Sequence, residues 1–160
     1  MHPYLTRGNP RVLAHRGASK TVPPGNCAAA IEAAIEAGVD HIETDVQATA
    51  DGEVVLFHDE NLDEHTTGSG PLSELSWSAA SELHLVADGE VTPHRLLRLE
   101  DALDRWPQLF WNIDVKTDDA LDPTVQILRE RDLSEQVCLA AFSMRRLYRL
   151  RRAMGPDWCT

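Results

Sequence analysis

Apolar residues along this chain alternate between two periods, short runs of strand character and longer stretches with helical spacing. Residues 11–15 read as a strand entering a glycine-containing loop. Residues 26–37 place Ala30, Ile31, Ala34 and Ile35 on one helical face, with Asn26 as the expected N-cap and Gly38 as the stop. Residues 39–46 read as a second strand and residues 53–58 as a third. Between those two strands lie only a few residues ending in Asp51-Gly52, too few for a helical crossover between parallel neighbours. Either the strands are antiparallel, or residues 47–50 run back extended and Asp51-Gly52 turns the chain into a parallel strand. The second option puts His58 on the same rim as Glu43 and Asp45, so the chemistry favours it.

Residues 59–95 are less regular, with a turn cluster at Gly68-Ser69-Gly70-Pro71 and a short helix over 76–83. Beyond them the pattern predicts a helix over 96–106 ending at Pro107, then strand 109–115, helix 123–131, strand 136–142 and helix 144–153. Trp158-Cys159-Thr160 reads as the start of another strand. Strands alternating with helices imply an α/β fold with a mainly parallel sheet, and the polar strand ends fit a TIM-type (β/α) barrel. A full barrel takes about 250 residues. This chain of 160 supplies about five βα units and the start of a sixth strand, so residues 1–160 are expected to form one incomplete barrel domain.

Four polar clusters stand at the ends of apolar runs: His15-Arg16-Gly17, Glu43-Thr44-Asp45, His58-Asp59 and Asp114-Val115-Lys116. Glu43 and Asp45 share one face of a strand, a costly arrangement unless they meet a cation or basic partners. With Asp114 they offer an all-oxygen set suited to Mg²⁺ or Ca²⁺ rather than zinc. His15 and His58 can divide base and acid duties across a phosphorus centre. Arg16 offers a bidentate phosphate clamp and Lys116 a compact positive charge. Asp59 either orients an imidazole or begins a turn, and Gly17 lets its loop approach a ligand. His41 is expected to be packed or lower in the barrel, and His65 to be solvent-exposed, with reach to a substrate as its alternative.

Composition removes several alternatives. A net charge of −11 disfavours non-specific nucleic-acid binding. The arginine-rich stretch over 144–154 reads as a surface helix with Met144, Leu147, Leu150 and Met154 inward and its arginines solvated, the alternative being an anionic-surface or partner-docking role. Three cysteines without a metal-binding spacing argue against a disulfide framework and a structural zinc site, with Cys27 and Cys138 as small core residues. No apolar run is long enough for an integral membrane segment and no signal-peptide pattern opens the chain, so a cytoplasmic protein is expected.

Taken together, Ala14-His15-Arg16-Gly17, Ile42-Glu43-Thr44-Asp45-Val46, Thr49-x-Asp51-Gly52, Val54-Val55-x-x-His58-Asp59-x-x-Leu62, Asn112-Ile113-Asp114-Val115-Lys116 and Phe142-Ser143 resemble the bacterial glycerophosphodiester phosphodiesterases. The resemblance implies a (β/α)₈ barrel that hydrolyses small glycerophosphodiesters to an alcohol and glycerol 3-phosphate. It implies Glu43, Asp45 and Asp114 as metal ligands, His15 and His58 as the acid–base pair, and Arg16 and Lys116 on the phosphate. Attack by the glycerol 2-hydroxyl would give a cyclic phosphate that water then opens. A phospholipase-D-like lyase of the same barrel group would stop at the cyclic product. A catalytically silent binding or oligomerising module is the alternative of another class, with self-association through open barrel edges. Three departures stand out. Pro24-Gly25-Asn26 replaces the family's Pro-Glu-Asn, Asp114 stands where glutamate is frequent, and the last barrel strands, with their aromatic wall, are absent.

Overall fold

The computed structural model describes residues 2–6 and 11–160. Four parallel strands form its main ladder, in the order β1 (Leu13–His15), β2 (His41–Ala48), β6 (Phe110–Val115) and β7 (Val137–Ala140). Cys159 forms a parallel bridge with Cys138, so the chain's last residues run beside β7, as the sequence pattern predicts. Helices α2 (Ala28–Glu36), α4 (Leu99–Arg105), α5 (Leu121–Glu130) and α6 (Met144–Met154) pack on one face of this sheet. The arrangement is a partial α/β barrel.

Alternation within the strands assigns the two faces. On β2 and β6, Ile42, Val46, Trp111, Ile113 and Val115 join the helices in the main core, all fully buried or nearly so. The intervening residues His41, Glu43, Asp45 and Gln47 on β2, and Phe110, Asn112 and Asp114 on β6, share the opposite, inner face. Register pairs Glu43 with Asn112 and Asp45 with Asp114, while His15 pairs with Glu43. The polar residues therefore collect at the C-terminal end of the sheet.

β3 (Val54–Leu56) is antiparallel to β2, the other of the two pairings, not the parallel one that the chemistry favours. The reason is the length of β2, which runs past the rim to Ala48 before the chain turns back. Val54 then pairs with Ala48 and Leu56 with Val46, and the Phe57 N–H reaches the Asp45 carbonyl at 3.0 Å. A short overhanging hairpin thus returns His58 to the level of Asp45. Residues 53–58 form an arm of the second unit rather than a unit of their own.

The irregular stretch contains more order than its pattern indicates. A 3-10 turn (Leu72–Glu74), helix α3 (Trp77–Ala80) and a two-stranded antiparallel sheet, β4 (His84–Ala87) with β5 (Glu90–Arg95), cover a second core. Leu62, Leu72, Ala80 and Leu85 are its buried members, packed with Val55 and Phe57. Helix α1 (Pro3–Thr6), also unforeseen, places Tyr4 under the sheet beside His41 and Phe110.

Several local expectations need correction. Cys27, not Asn26, caps α2, and Asn26 is buried in the polar cluster instead. Gly17 makes a close approach to α2, where a Cβ would stand 2.7 Å from the Ala30 carbonyl. Met144 is 78% exposed, while Arg146 reaches Asp118 and the Val115 carbonyl instead of solvent. Cys27 is buried as expected, but Cys138 is only half-buried, with its sulfur 2.7 Å from that of Cys159.

Candidate active site

The rim of the sheet gathers all seven residues singled out by the sequence. β1 delivers His15 and, just beyond it, Arg16; β2 delivers Glu43 and Asp45; β6 delivers Asp114 and, one step on, Lys116; the hairpin delivers His58. Asp45 is the hub. Its carboxylate lies 3.0 Å from Arg16 Nε and 3.1 Å from Lys116 Nζ, and accepts a hydrogen bond from Asn26 Nδ2 at 3.1 Å. Lys116 also donates to Asp114 at 2.9 Å, and the Arg16 N–H donates to Glu43 at 3.1 Å. His15 Nε2 stands 3.8 Å from the Glu43 carboxylate.

Three carboxylates here face two cations. Burial, then the charge of Asp45, pushes the Glu43 carboxyl up to about 7. Burial works against the Lys116 ammonium, but Asp114 and Asp45 overcome it and raise its pKa. Partial burial, followed by the neighbouring Arg16 guanidinium, holds His15 below the usual imidazole value. A neutral imidazole is then available at neutral pH as a proton acceptor.

His58 is oriented from behind. Its Nδ1 lies 2.7 Å from Asp59 Oδ1, leaving Nε2 as the ring's other nitrogen. Of the two readings of Asp59, the structure supports the orienting one. A cleft of about 520 Å³ opens in front, lined by Gln47, His58, Asp114, Lys116, Phe142 and Arg146. The Phe142 ring is 93% exposed and stands 5.1 Å from Lys116 Nζ.

The donor set fits a hard divalent cation in chemistry, being oxygen throughout. Asp114 Oδ1 is buried without a hydrogen-bond partner among the described residues, so it retains capacity to coordinate. Among the described residues, however, no three Asp, Glu, His or Cys side chains converge closely enough to enclose an ion.

Several site residues escaped the sequence reading. Gln47 continues the alternation of Glu43 and Asp45 by one more step, and its amide donates to the Asp59 carbonyl at 2.6 Å. That period-two continuation was the available signal. Asn26 bridges Asp45 and the Thr44 hydroxyl, which donates to it at 2.8 Å. His65, expected at the surface, is instead bound to Asp59. His41 lies low on the inner face and is 2% exposed, as its parity on β2 implies.

Residues 15–157 match the model of the glycerophosphoryl diester phosphodiesterase family. A probable glycerophosphodiester phosphodiesterase 2 of Mycobacterium tuberculosis is 34% identical over 151 residues, covering 94% of this chain and 55% of that protein. A glycerophosphodiester phosphodiesterase of Caldanaerobacter subterraneus subsp. tengcongensis is 33% identical over 141 residues, covering 82% and 58%. The chain thus spans little more than half the length of these relatives. Among solved structures, the Agrobacterium tumefaciens glycerophosphodiester phosphodiesterase superposes with a TM-score of 0.82 at 27% identity, over 92% of this chain and 64% of that one. An Oleispira antarctica phosphodiesterase, solved with the product sn-glycerol-3-phosphate, gives 0.81 at 25% identity, over 93% and 64%.

Proposed function

This chain belongs to the glycerophosphoryl diester phosphodiesterase family, and from that membership we propose that it hydrolyses small glycerophosphodiesters to an alcohol and glycerol 3-phosphate. The observation that carries the proposal is the meeting of His15, Arg16, Glu43, Asp45, Asp114 and Lys116 in one network at the strand ends, with His58 on the adjoining cleft. The Oleispira neighbour's bound product supports the substrate class.

The two imidazoles divide the work. His15, neutral, accepts the proton of the glycerol 2-hydroxyl as that oxygen attacks phosphorus. His58, its ring oriented by Asp59 at Nδ1, delivers a proton to the departing alcohol oxygen. Water then opens the cyclic phosphate with the two roles reversed, leaving both imidazoles as they began. Arg16 and Lys116 supply fixed positive charge to the phosphoryl oxygens where negative charge develops. Glu43, Asp45 and Asp114 would hold a Mg²⁺ or Ca²⁺ ion, which when bound polarises phosphoryl oxygens and lowers the attacking hydroxyl's pKa.

Glycerophosphocholine turnover followed by phosphorus NMR, with Mg²⁺, Ca²⁺ or EDTA, tests this reading. Glycerol 3-phosphate as the final product supports hydrolysis, and a persistent cyclic phosphate makes the protein a lyase. Turnover unaffected by EDTA removes the metal from the account.

A second reading, self-association of a single 1–160 domain, rests on the open side of the sheet. β1 pairs only with β2 among the described residues, and Val12 beside it is 63% exposed. Met144 and Tyr148, 78% and 67% exposed, add apolar surface. Sedimentation that stays monomeric across a wide concentration range rules it out. A cytoplasmic setting suits the three free thiols, and no helix among the described residues is long and apolar enough to cross a membrane.

A further inference from the structure

Asp59 is held between two imidazoles. One carboxylate oxygen is bound to His58 Nδ1, and the other to Nδ1 of His65, six residues further along. Burial alone would raise the Asp59 pKa, yet the hydrogen bonds from both rings overcome it and hold the carboxyl below its usual range. Asp59 is thus an anion addressed from both sides.

His65 is anchored independently of the rim. Its carbonyl accepts the Val86 N–H at 2.8 Å, and the next residue, Thr66, ties back to the Leu62 carbonyl through its N–H at 2.9 Å and its hydroxyl at 2.8 Å. The Thr67 N–H donates to the His84 carbonyl at 2.9 Å. Leu62 and Leu85 are buried in the second core, so this loop is stitched to β4 over a packed base. The small antiparallel sheet, otherwise remote from the chemistry, thereby sets where His65 stands.

Rotation about a carboxylate's last torsion is soft and roughly two-fold. A carboxylate held at one oxygen can swivel, whereas one gripped at both is fixed in a plane. We propose that His65 is a positioning residue: it grips the outer oxygen of Asp59, and Asp59 in turn fixes the His58 ring with its proton on Nδ1 and Nε2 as the reactive nitrogen. The proposal rests on the reading of His58 as an acid–base group. It gives residues 59–95 a task, carrying the rigidity of their own core to the rim.

The test compares His65→Ala, His65→Asn and His65→Gln. Asparagine places its amide nitrogen where Nδ1 stands in histidine, while the glutamine nitrogen extends further, so the last two variants separate hydrogen bonding from bulk. Nitrogen-15 spectra of the neutral His58 ring report its tautomer without any turnover. The Nδ1–H form should dominate in the wild type, fall toward the free-imidazole preference for Nε2–H in His65→Ala and His65→Gln, and return in His65→Asn. Loss of an outer hydrogen-bond partner should lower kcat about tenfold, with KM held within about twofold and kcat rescued by asparagine. An unchanged His58 tautomer and kcat in both His65→Ala and His65→Gln overturns the proposal. Should the wild type turn over no glycerophosphodiester, the functional reading falls, and the tautomer alone decides the role of His65.

Discussion

His41 and Asp45 project from the same face of β2 and are equally buried, at 2% exposure each, but their surroundings differ in kind. At the floor, His41 stacks on Phe110 with ring centroids 4.8 Å apart and meets Tyr4 edge-on at 5.6 Å. Its Nδ1 lies 2.6 Å from the Asp40 carboxylate, and aromatic rings close off the rest. At the rim, Asp45 touches Arg16, Lys116 and Asn26, beside a cleft and two further carboxylates. Burial therefore does not separate structural polar groups from functional ones. What separates them is the company: a lid of rings at one end, and an incompletely balanced set of charges facing an opening at the other.

Substitutions at the two ends should fail in different currencies, and the largest effect is expected at the rim. His58→Ala or His15→Ala should reduce kcat by about 10²–10⁴-fold, the range that a positioned acid or base contributes. Both rings are partly exposed, at 39% and 65% of the side chain, so the denaturation midpoint should barely move. Steady-state kinetics alongside urea titration checks both halves. Unfolding of either variant under assay conditions would erase the distinction between floor and rim.

Phe110→Ala makes the converse break. The ring is 4% exposed and shared between His41 and Tyr4, so its loss should cost about 3–5 kcal/mol of stability. Activity per folded molecule should stay near wild type, because Phe110 begins β6 at the floor while Asp114 stands near its other end, at the rim. A fall in kcat without a fall in the urea midpoint would show that floor and rim are coupled through β6.

How well each end could be read in the sequence follows from the range of the interactions that fix it. Glu43, Asp45 and Asp114 were legible because strand alternation is a local rule, and their register on β2 and β6 follows from the parallel ladder. The direction of β3 was not, because it depends on how far β2 overhangs the rim, which no period in the sequence encodes. The residues expected on one rim were right while the pairing that brings His58 there was wrong. His65 and Tyr4 were missed for a related reason: their partners Asp59 and His41 are reached through loop and terminal segments with no periodicity to read.

Gly25 offers a smaller test, at the position where the family resemblance implies a glutamate. Its φ is +87°, and a Cβ would come 2.7 Å from Ser19 Cβ and 2.8 Å from both Arg16 Cβ and the Arg16 carbonyl oxygen. Restoring a side chain there must therefore displace the backbone that carries Arg16. Gly25→Ala should cost about 1–3 kcal/mol and raise KM more than it lowers kcat, since Arg16 is assigned to the phosphate. A Gly25→Glu variant with improved kcat/KM would instead mean that this loop can relax to the family's arrangement.

The smallest expected effect is a gain, at the floor. The Tyr4 hydroxyl is buried without a hydrogen-bond partner among the described residues, so Tyr4→Phe removes a desolvated polar group and should stabilise the protein by about 1 kcal/mol. The same substitution bears on alkaline stability. Burial, then the nearby Cys138 and Cys159, raises the Tyr4 phenol above its ordinary value of 10.0, and burial, then Cys159, pushes the Cys138 thiol up to about 12 from 9.0. Both groups keep their protons in the folded state at pH values where the unfolded chain has begun to lose them. The folded state then binds more protons, so stability must fall as pH rises, from about pH 9 through Cys138 and from about pH 10 through Tyr4. Urea midpoints measured between pH 8 and 10.5 should decline in the wild type and decline less steeply above pH 10 in Tyr4→Phe. A flat wild-type profile would mean that the floor opens to solvent readily, and the contrast between a sealed floor and an open rim would fail at its quieter end.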